Sequence, residues 1–279
     1  MFVSQPEANT VRQGQILWSD ANNCYQRWES CNSCHPDAIV DGFNWDNLND
    51  GLGGGGKSAK SMLYSHRTPP VMITGIRPNA EAATAAGMKF IQFNTMSTEN
   101  INKIDEYLKS LAPLKAPALN KDGTLTESAA AGKTLFEKNC ASCHPAPLYT
   151  DMKTHDVGTK HFGGDSGLYD TPTLVEVWRT GPYMHDGSLN TLEEVVKHFA
   201  KDLSDAEVKQ VADFVRSICA EGEDYGVEQV YATETSGAVS YNLYKAGASL
   251  DKIVVRKQAL DAAKTVVIAL NAYDKNGKQ

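Results

Sequence analysis

The chain lacks several features that would place it in a familiar class. No stretch approaches 18 consecutive apolar residues, so the sequence predicts no membrane-spanning segment. Lys and Arg number 27 against 34 Asp and Glu, and a net charge of −7 disfavours binding to nucleic acid, which needs a basic face. Six cysteines in 279 residues are too few for a disulfide scaffold. The remaining composition, 41% hydrophobic and 22% charged, can bury a core, and the length predicts two domains.

Four of the six cysteines form two copies of the pattern Cys-x-x-Cys-His. The copies run from Cys31 through Cys34 to His35 and from Cys140 through Cys143 to His144. This pattern attaches c-type haem: each thiol forms a thioether with the porphyrin, and the adjacent imidazole binds the iron. We therefore expect two covalently bound haem c groups, with His35 and His144 as the proximal iron ligands.

Two other uses of paired cysteines fit the sequence less well. A zinc site with four ligands would have to join cysteine pairs 109 positions apart, counted from Cys31 to Cys140. A redox-active dithiol requires a thioredoxin-like βαβ setting, which the sequence does not show. The two leftover residues, Cys24 and Cys219, are expected to pair in an oxidising compartment, with two separate buried thiols as the alternative.

The two motifs lie in an internal repeat. Gly14 and Gly132 each open the pattern Gly-x-x-Leu-aromatic upstream of a motif, where a small residue lets another helix approach closely. Residues 97–111 align with residues 204–218 as amphipathic helices that begin after a serine. Residues 68–70, Thr-Pro-Pro, echo residues 171–173, Thr-Pro-Thr.

The repeat predicts a mainly α fold in which two class I cytochrome c-like haem domains stand in tandem. We place the first domain at residues 1–113, a linker at 114–124 and the second domain at 125–222. Thr126 is the expected N-cap of the helix that opens the second domain. Residues 223–279 alternate apolar and polar side chains, which predicts a short β-sandwich-like segment, either truncated or a small β extension.

The second half carries a family resemblance. Residues 169–195, which include Gly-Pro-Tyr-Met-His-Asp-Gly at 181–187, resemble the bacterial dihaem cytochrome c peroxidases and the dihaem enzymes of methylamine utilisation. The resemblance implies that the haem on His35 reacts with peroxide and that the haem on His144 stores electrons. This sequence departs from the family at residues 66–77, which lack the expected tryptophan and aspartate, and at Phe199, which replaces a ligating residue.

The distal iron ligands are predicted with alternatives left open. His66 is the candidate for the first haem, because it precedes the Thr-Pro-Pro turn, and Met62, Met72, Met88 and Met96 compete with it. Met184 and His198 are the candidates for the second haem, with His185 expected to be structural. Trp178 is a candidate for shortening an electron path.

Distal coordination separates the function hypotheses. Two six-coordinate irons leave only electron transfer at or outside the cell envelope, with a redox partner protein or an extracellular electron acceptor. An open position would permit a hydrogen-peroxide-dependent oxidoreductase. A third interpretation is a sensory or scaffold module of a larger surface protein. Because this type of haem attachment occurs outside the cytoplasm, we expect an extracytoplasmic location: periplasmic, cell-surface or secreted.

Overall fold

The computed structural model describes residues 8–47, 55–159 and 166–218, together with the backbone of three strands beyond residue 229. The described chain is mainly helical, as predicted. Its helices are α1 (Thr10–Ser19), α2 (Cys31–Cys34), α3 (Ala80–Phe90), α4 (Thr98–Lys109), α5 (Glu127–Asn139), α6 (Leu192–Phe199) and α7 (Asp205–Arg216). Among the described residues, none of these helices has the length and apolar character needed to cross a bilayer.

Two short antiparallel hairpins accompany the helices. The first pairs β1 (Asn44–Trp45) with β2 (Lys57–Ser58), and the second pairs β3 (Thr154–Asp156) with β4 (Leu168–Asp170). The residue pairs farthest from the turn are Asn44 with Ser58 in the first hairpin and Thr154 with Asp170 in the second. Each hairpin belongs to one half of the chain, and we call residues 8–113 the first unit and residues 125–218 the second unit.

Local sequence determines where the long helices begin. Ser97 and Thr126 accept hydrogen bonds from Asn100 N and Ala129 N, so they cap α4 and α5 as predicted. The Ser204 side chain caps α7 by accepting from the Glu207 amide. The Ser204 amide in turn donates to the Glu207 carboxylate, which completes a capping box. These side chains satisfy amide groups that the first turn of a helix leaves without partners.

Each unit is built on one close helix crossing. A Cβ atom added at Gly14 of α1 would lie 1.8 Å from the Lys103 carbonyl oxygen of α4. A Cβ atom added at Gly132 of α5 would lie equally close, 1.8 Å, to the Gln210 carbonyl oxygen of α7. The prediction that a small residue permits these approaches is confirmed, and the repeat is therefore a repeat of tertiary structure.

The apolar stripes of the closing helices form the two cores. In the first unit, Ile104 and Leu108 of α4 pack with Trp18 and Met88. In the second unit, the larger core gathers around α5, α6 and α7, and its central buried side chains are Phe136, Tyr149, Val196, Val211, Phe214 and Val215. Phe136 contacts Phe214 edge to face at 5.1 Å between ring centroids.

Beyond residue 229 the structure describes β5 (Val230–Thr235), β6 (Ala238–Leu243) and β7 (Ala269–Asn271), in the order β5-β6-β7. The pairing of β5 with β6 is antiparallel and that of β6 with β7 is parallel. Strands therefore occur in the segment predicted to be β-rich, while its other residues, and Cys219, lie outside the described residues. Cys24 is buried and free.

Candidate haem sites

The two predicted proximal histidines are mounted in the same way. The Nδ1 atom of His35 lies 3.3 Å from the Ile39 carbonyl oxygen, and the Nδ1 atom of His144 lies 2.8 Å from the Tyr149 carbonyl oxygen. A carbonyl only accepts, so Nδ1–H donates in both rings and Nε2 keeps its lone pair. Burial lowers the pKa of both imidazoles, which favours the neutral form that binds a metal.

Burial favours the neutral thiol at three of the motif cysteines. Burial raises the pKa of Cys31 and of Cys34 to about 12, and raises that of Cys140 to about 11. Neutral thiols are poor nucleophiles for disulfide exchange, because that role needs the thiolate. The environment of these residues therefore disfavours the dithiol alternative and is compatible with thioether attachment.

A group of three possible metal ligands lies beside the second motif. One donor atom from each of Cys143, Asp151 and His155 lies within 4.8 Å of the others. His155 Nε2 donates to Asp151 at 2.8 Å. A Cys143 sulphur in a thioether has no thiolate to offer a second metal, so we assign this group to the surroundings of the second haem attachment.

Two tryptophans provide an independent test of whether haem fits. The Trp18 ring lies 5.9 Å from the His35 ring between centroids, and its Nε1–H is buried with no acceptor among the described residues. Trp178 Nε1 in the second unit is likewise buried without an acceptor in the described chain. A buried donor without a partner costs about 1–3 kcal/mol. A haem propionate supplies a matching acceptor, so the residues present fit the group.

The strongest duplication is a loop that the sequence echo did not identify. Residues 71 and 77 form an isolated antiparallel bridge, and residues 183 and 189 form another. We call residues 71–77 the first bridge loop and residues 183–189 the second bridge loop. Each has methionine at its second position, Met72 with φ 77° and Met184 with φ 71°, and glycine at its fifth position with φ 65° or 67°.

This structural match corrects the sequence alignment of the two units. Thr68 precedes the first bridge loop by three residues, and its counterpart by position is Thr180 rather than Thr171. The same offset of 112 positions brings His66 of the first unit over Trp178 of the second. The echo matched two letters of sequence, whereas the bridge and the left-handed residues inside the loop mark the equivalent backbone.

His66 is bound to a buried carboxylate. Its Nε2–H donates to Asp105 Oδ1 at 3.1 Å, and its Nδ1 accepts from Ser65 Oγ at 3.4 Å. Thr84 Oγ1 donates to the same Asp105 oxygen at 2.8 Å, while Asp105 Oδ2 is buried without a partner in the described residues. Both ring nitrogens of His66 are therefore engaged within the protein in this conformation.

The candidates for the second haem differ in what their ligating atoms contact. His198 Nε2–H donates to the Val157 carbonyl oxygen at 2.7 Å, and Phe199 is 53% exposed. Met184 carries its thioether on the second bridge loop, at a left-handed position with φ 71°. His185 stacks on Tyr169 at 4.1 Å between ring centroids.

Four buried carboxylates of the described residues escaped the sequence reasoning: Glu29, Asp105, Asp170 and Glu176. Glu29 lies before the first motif, 3.1 Å from Gln92 Nε2 and 3.7 Å from Cys34 Sγ, and burial raises its pKa. Glu176 accepts from Arg179 Nε at 2.6 Å and from the Leu114 amide. Asp105 did leave a signal: it is an acidic residue on the apolar stripe of α4.

Comparisons with known proteins agree with this site. The family model for cytochrome c matches residues 129–218, which include the second motif and its helices. The gamma subunit of hydrazine synthase from Kuenenia stuttgartiensis is 25% identical over 76% of this chain and 78% of its own. MauG, a methylamine utilisation protein of Methylorubrum extorquens, is 35% identical over 32% of this chain and 30% of its own.

Solved structures show the same fold at lower identity. A structure of hydrazine synthase from Kuenenia stuttgartiensis superposes with a TM-score of 0.66 at 23% identity, over 77% of this chain and 88% of that one. The dihaem peroxidase BthA of Burkholderia thailandensis superposes with a TM-score of 0.53 at 15% identity, over 78% of this chain and 88% of that one.

The motifs, the neutral imidazoles and the family match define a c-type cytochrome with covalently bound haem c. More particularly, the predicted resemblance is confirmed: the chain is similar to MauG and to dihaem cytochrome c peroxidases.

Proposed function

We propose that the protein is an electron-transfer cytochrome with two haem c groups, one in each of two tandem cytochrome c-like domains. The observation that carries the proposal is the duplicated mounting of His35 and His144, each with Nδ1 on a backbone carbonyl and each directly after the two cysteines of its motif. Bound iron would supply one-electron chemistry, and the chain would fix the ligand tautomer and exclude water.

Distal coordination is part of this proposal. Met184 is the distal ligand that we favour for the second haem, because Nε2 of His198 is engaged by the Val157 carbonyl. Thioether ligation raises a haem potential, which suits an electron acceptor. For the first haem, Met72 holds the equivalent loop position, and His66 could bind iron only after leaving Asp105.

The wider context is proposed on chemical grounds. We infer an extracytoplasmic location and exchange of electrons with a redox partner protein or an extracellular acceptor, with no role in nucleic-acid binding. The strands after residue 229 are compatible with a β-sandwich-like segment and with a place in a larger surface protein.

Absorption and electron paramagnetic resonance spectra of the purified ferric protein test this function. We expect two haems per chain by mass, and low-spin signals for both. The variant Met184→Leu should replace the low-spin signal of the second haem by a high-spin signal. Met152 is an exposed methionine outside the bridge loops, so Met152→Leu should leave the low-spin signal unchanged. A single haem, or signals that Met184→Leu leaves unchanged, would contradict the proposal.

A second candidate function rests on the His66–Asp105 pair. The second unit has Trp178 at the position of His66 and Ala212 in the place of Asp105 on the closing helix, so the equivalent positions of the second unit carry no such pair. An imidazole oriented by a buried carboxylate can move protons, as a hydrogen-peroxide-dependent oxidoreductase requires.

The two functions separate in one assay. If the protein consumes peroxide, His66→Gln should lower the rate by about 10²-fold, within the range for a general acid–base group. A high-spin ferric haem would then be present, and the binding of cyanide to it would shift its absorption spectrum. If the wild-type spectra are purely low-spin and peroxide leaves them unchanged, electron transfer is the function.

A further inference from the structure

The bridge loops and the hairpins make contacts that cross between the units. The amide of Ser58, at the end of β2 in the first unit, donates to the His185 carbonyl oxygen in the second bridge loop at 2.8 Å. The amide of Asp170, at the end of β4 in the second unit, donates to the Ile73 carbonyl oxygen in the first bridge loop at 2.8 Å. The two bonds join equivalent positions, because His185 and Ile73 are each the third residue of a loop.

Side chains strengthen both crossings. Asn44, the pairing partner of Ser58, donates through Nδ2 to the Asp186 carbonyl oxygen at 2.7 Å. On the other side, Lys60 forms an ion pair with Asp170 and also lies 3.5 Å from the Met72 carbonyl oxygen. The Asp170 side chain is 4% exposed, so this pair is poorly screened by solvent.

The fit is close on both sides as well. A Cβ atom added at Gly75 of the first bridge loop would lie 2.9 Å from Thr154 Cγ2 of β3 in the second unit. A Cβ atom added at Gly187 of the second bridge loop would lie 3.2 Å from Ser58 Oγ of the first unit. The left-handed glycine of each loop is therefore also the residue at which the hairpin of the other unit packs against that loop.

We propose that each unit positions the bridge loop of the other, so that the two haem sites are joined by a reciprocal clasp of hairpins on loops. The positioning residues are Asn44 and Ser58 of the first unit for the second loop, and Asp170 of the second unit for the first loop, where Asp170 also pairs with Lys60. The part of this inference that concerns haem rests on the proposed function, in which the bridge loops carry the distal methionines.

The clasp has a consequence that each unit alone could not produce. A change in one hairpin should loosen the loop of the opposite unit, because the bonds at that loop come from across the interface.

Hydrogen–deuterium exchange of the haem-containing protein tests the crossing directly. Asn44→Ala should speed amide exchange in residues 183–189, and Asp170→Asn should speed it in residues 71–77. The expected increase is about threefold to tenfold, the worth of one ordinary hydrogen bond. Two matched controls keep their contacts within one unit: Asn22, bonded to Asp20, and Asp156, bonded to Gly158. Asn22→Ala and Asp156→Asn should leave both loops unchanged.

Haem spectra give the second readout. Asn44→Ala should alter the electron paramagnetic resonance signal of the haem on His144, and Asp170→Asn that of the haem on His35. Exchange changes confined to the mutated unit would overturn the clasp, whatever the haems do. Crossed exchange with unaltered haem signals would retain the clasp and instead refute the placement of bridge loops over haem.

Discussion

Replacing Gly132 with alanine should destabilise the protein severely, because α5 and α7 are in backbone contact at this residue. The new Cβ atom would lie 1.8 Å from the Gln210 carbonyl oxygen, about 1.6 Å short of ordinary van der Waals contact. The obstacle is backbone within α7, so no side-chain rotation relieves it. Overpacking typically costs about 1–3 kcal/mol, and a rigid backbone neighbour places this case at about 3 kcal/mol or more.

The helical preference of alanine opposes this cost only in part. Alanine is favoured over glycine by about 1 kcal/mol in a helix interior. A net loss of about 2 kcal/mol should lower the melting temperature by roughly 4–8 °C for a chain of this size. Gly14→Ala should behave in the same way, since the Lys103 carbonyl oxygen stands equally close in the first unit.

The chain offers a matched control in a third helix. Gly87 lies inside α3, and a Cβ atom added there would have nothing within 4 Å. Gly87→Ala should therefore leave stability unchanged or raise it by about 0.5–1 kcal/mol. Thermal unfolding of the haem-containing proteins, followed by circular dichroism, compares the three variants. Equal stability of Gly132→Ala and Gly87→Ala would refute the close crossing.

The remaining predictions concern α7, through its contact with α6 and through its N-cap. Arg216 bonds Glu193 at 2.6 Å and Asp213 at 3.3 Å, and the pKa of each carboxyl is lowered, Glu193 chiefly by its Arg216 hydrogen bond. The stabilisation from these ion pairs is complete above about pH 4.5 and is lost as the pH falls through the lowered pKa values. Arg216→Met should cost about 0.5–1 kcal/mol at pH 7, and the difference in stability between variant and wild type should narrow in acid unfolding. Ser204→Ala removes the α7 cap and should cost about 1 kcal/mol in denaturant unfolding, whereas an unchanged midpoint would contradict the capping box formed with Glu207.

The amino-acid sequence by itself determined the haem chemistry and most of the helices. Cys-x-x-Cys-His is a contiguous pattern, so its geometry follows from one turn of chain, as at Cys31–Cys34. Ser97 and Thr126 cap helices through bonds to residues three positions away. The glycines at the helix crossings were also readable, since each opens the same Gly-x-x-Leu-aromatic pattern upstream of a motif. All of these signals are local or repeated.

Only the tertiary structure decided which distant residues meet. His66 is a potential ligand in the sequence, but Asp105, 39 positions away, binds its Nε2 in the fold. The bridge loops were hidden because their bonds join residues six positions apart through backbone atoms, which carry no side-chain signature. The clasp of Asp170 on the first loop depends on how the two units pack against each other. The sequence does not mark Asp170 and Ile73 as partners, because they lie far apart in the chain and only packing brings them together.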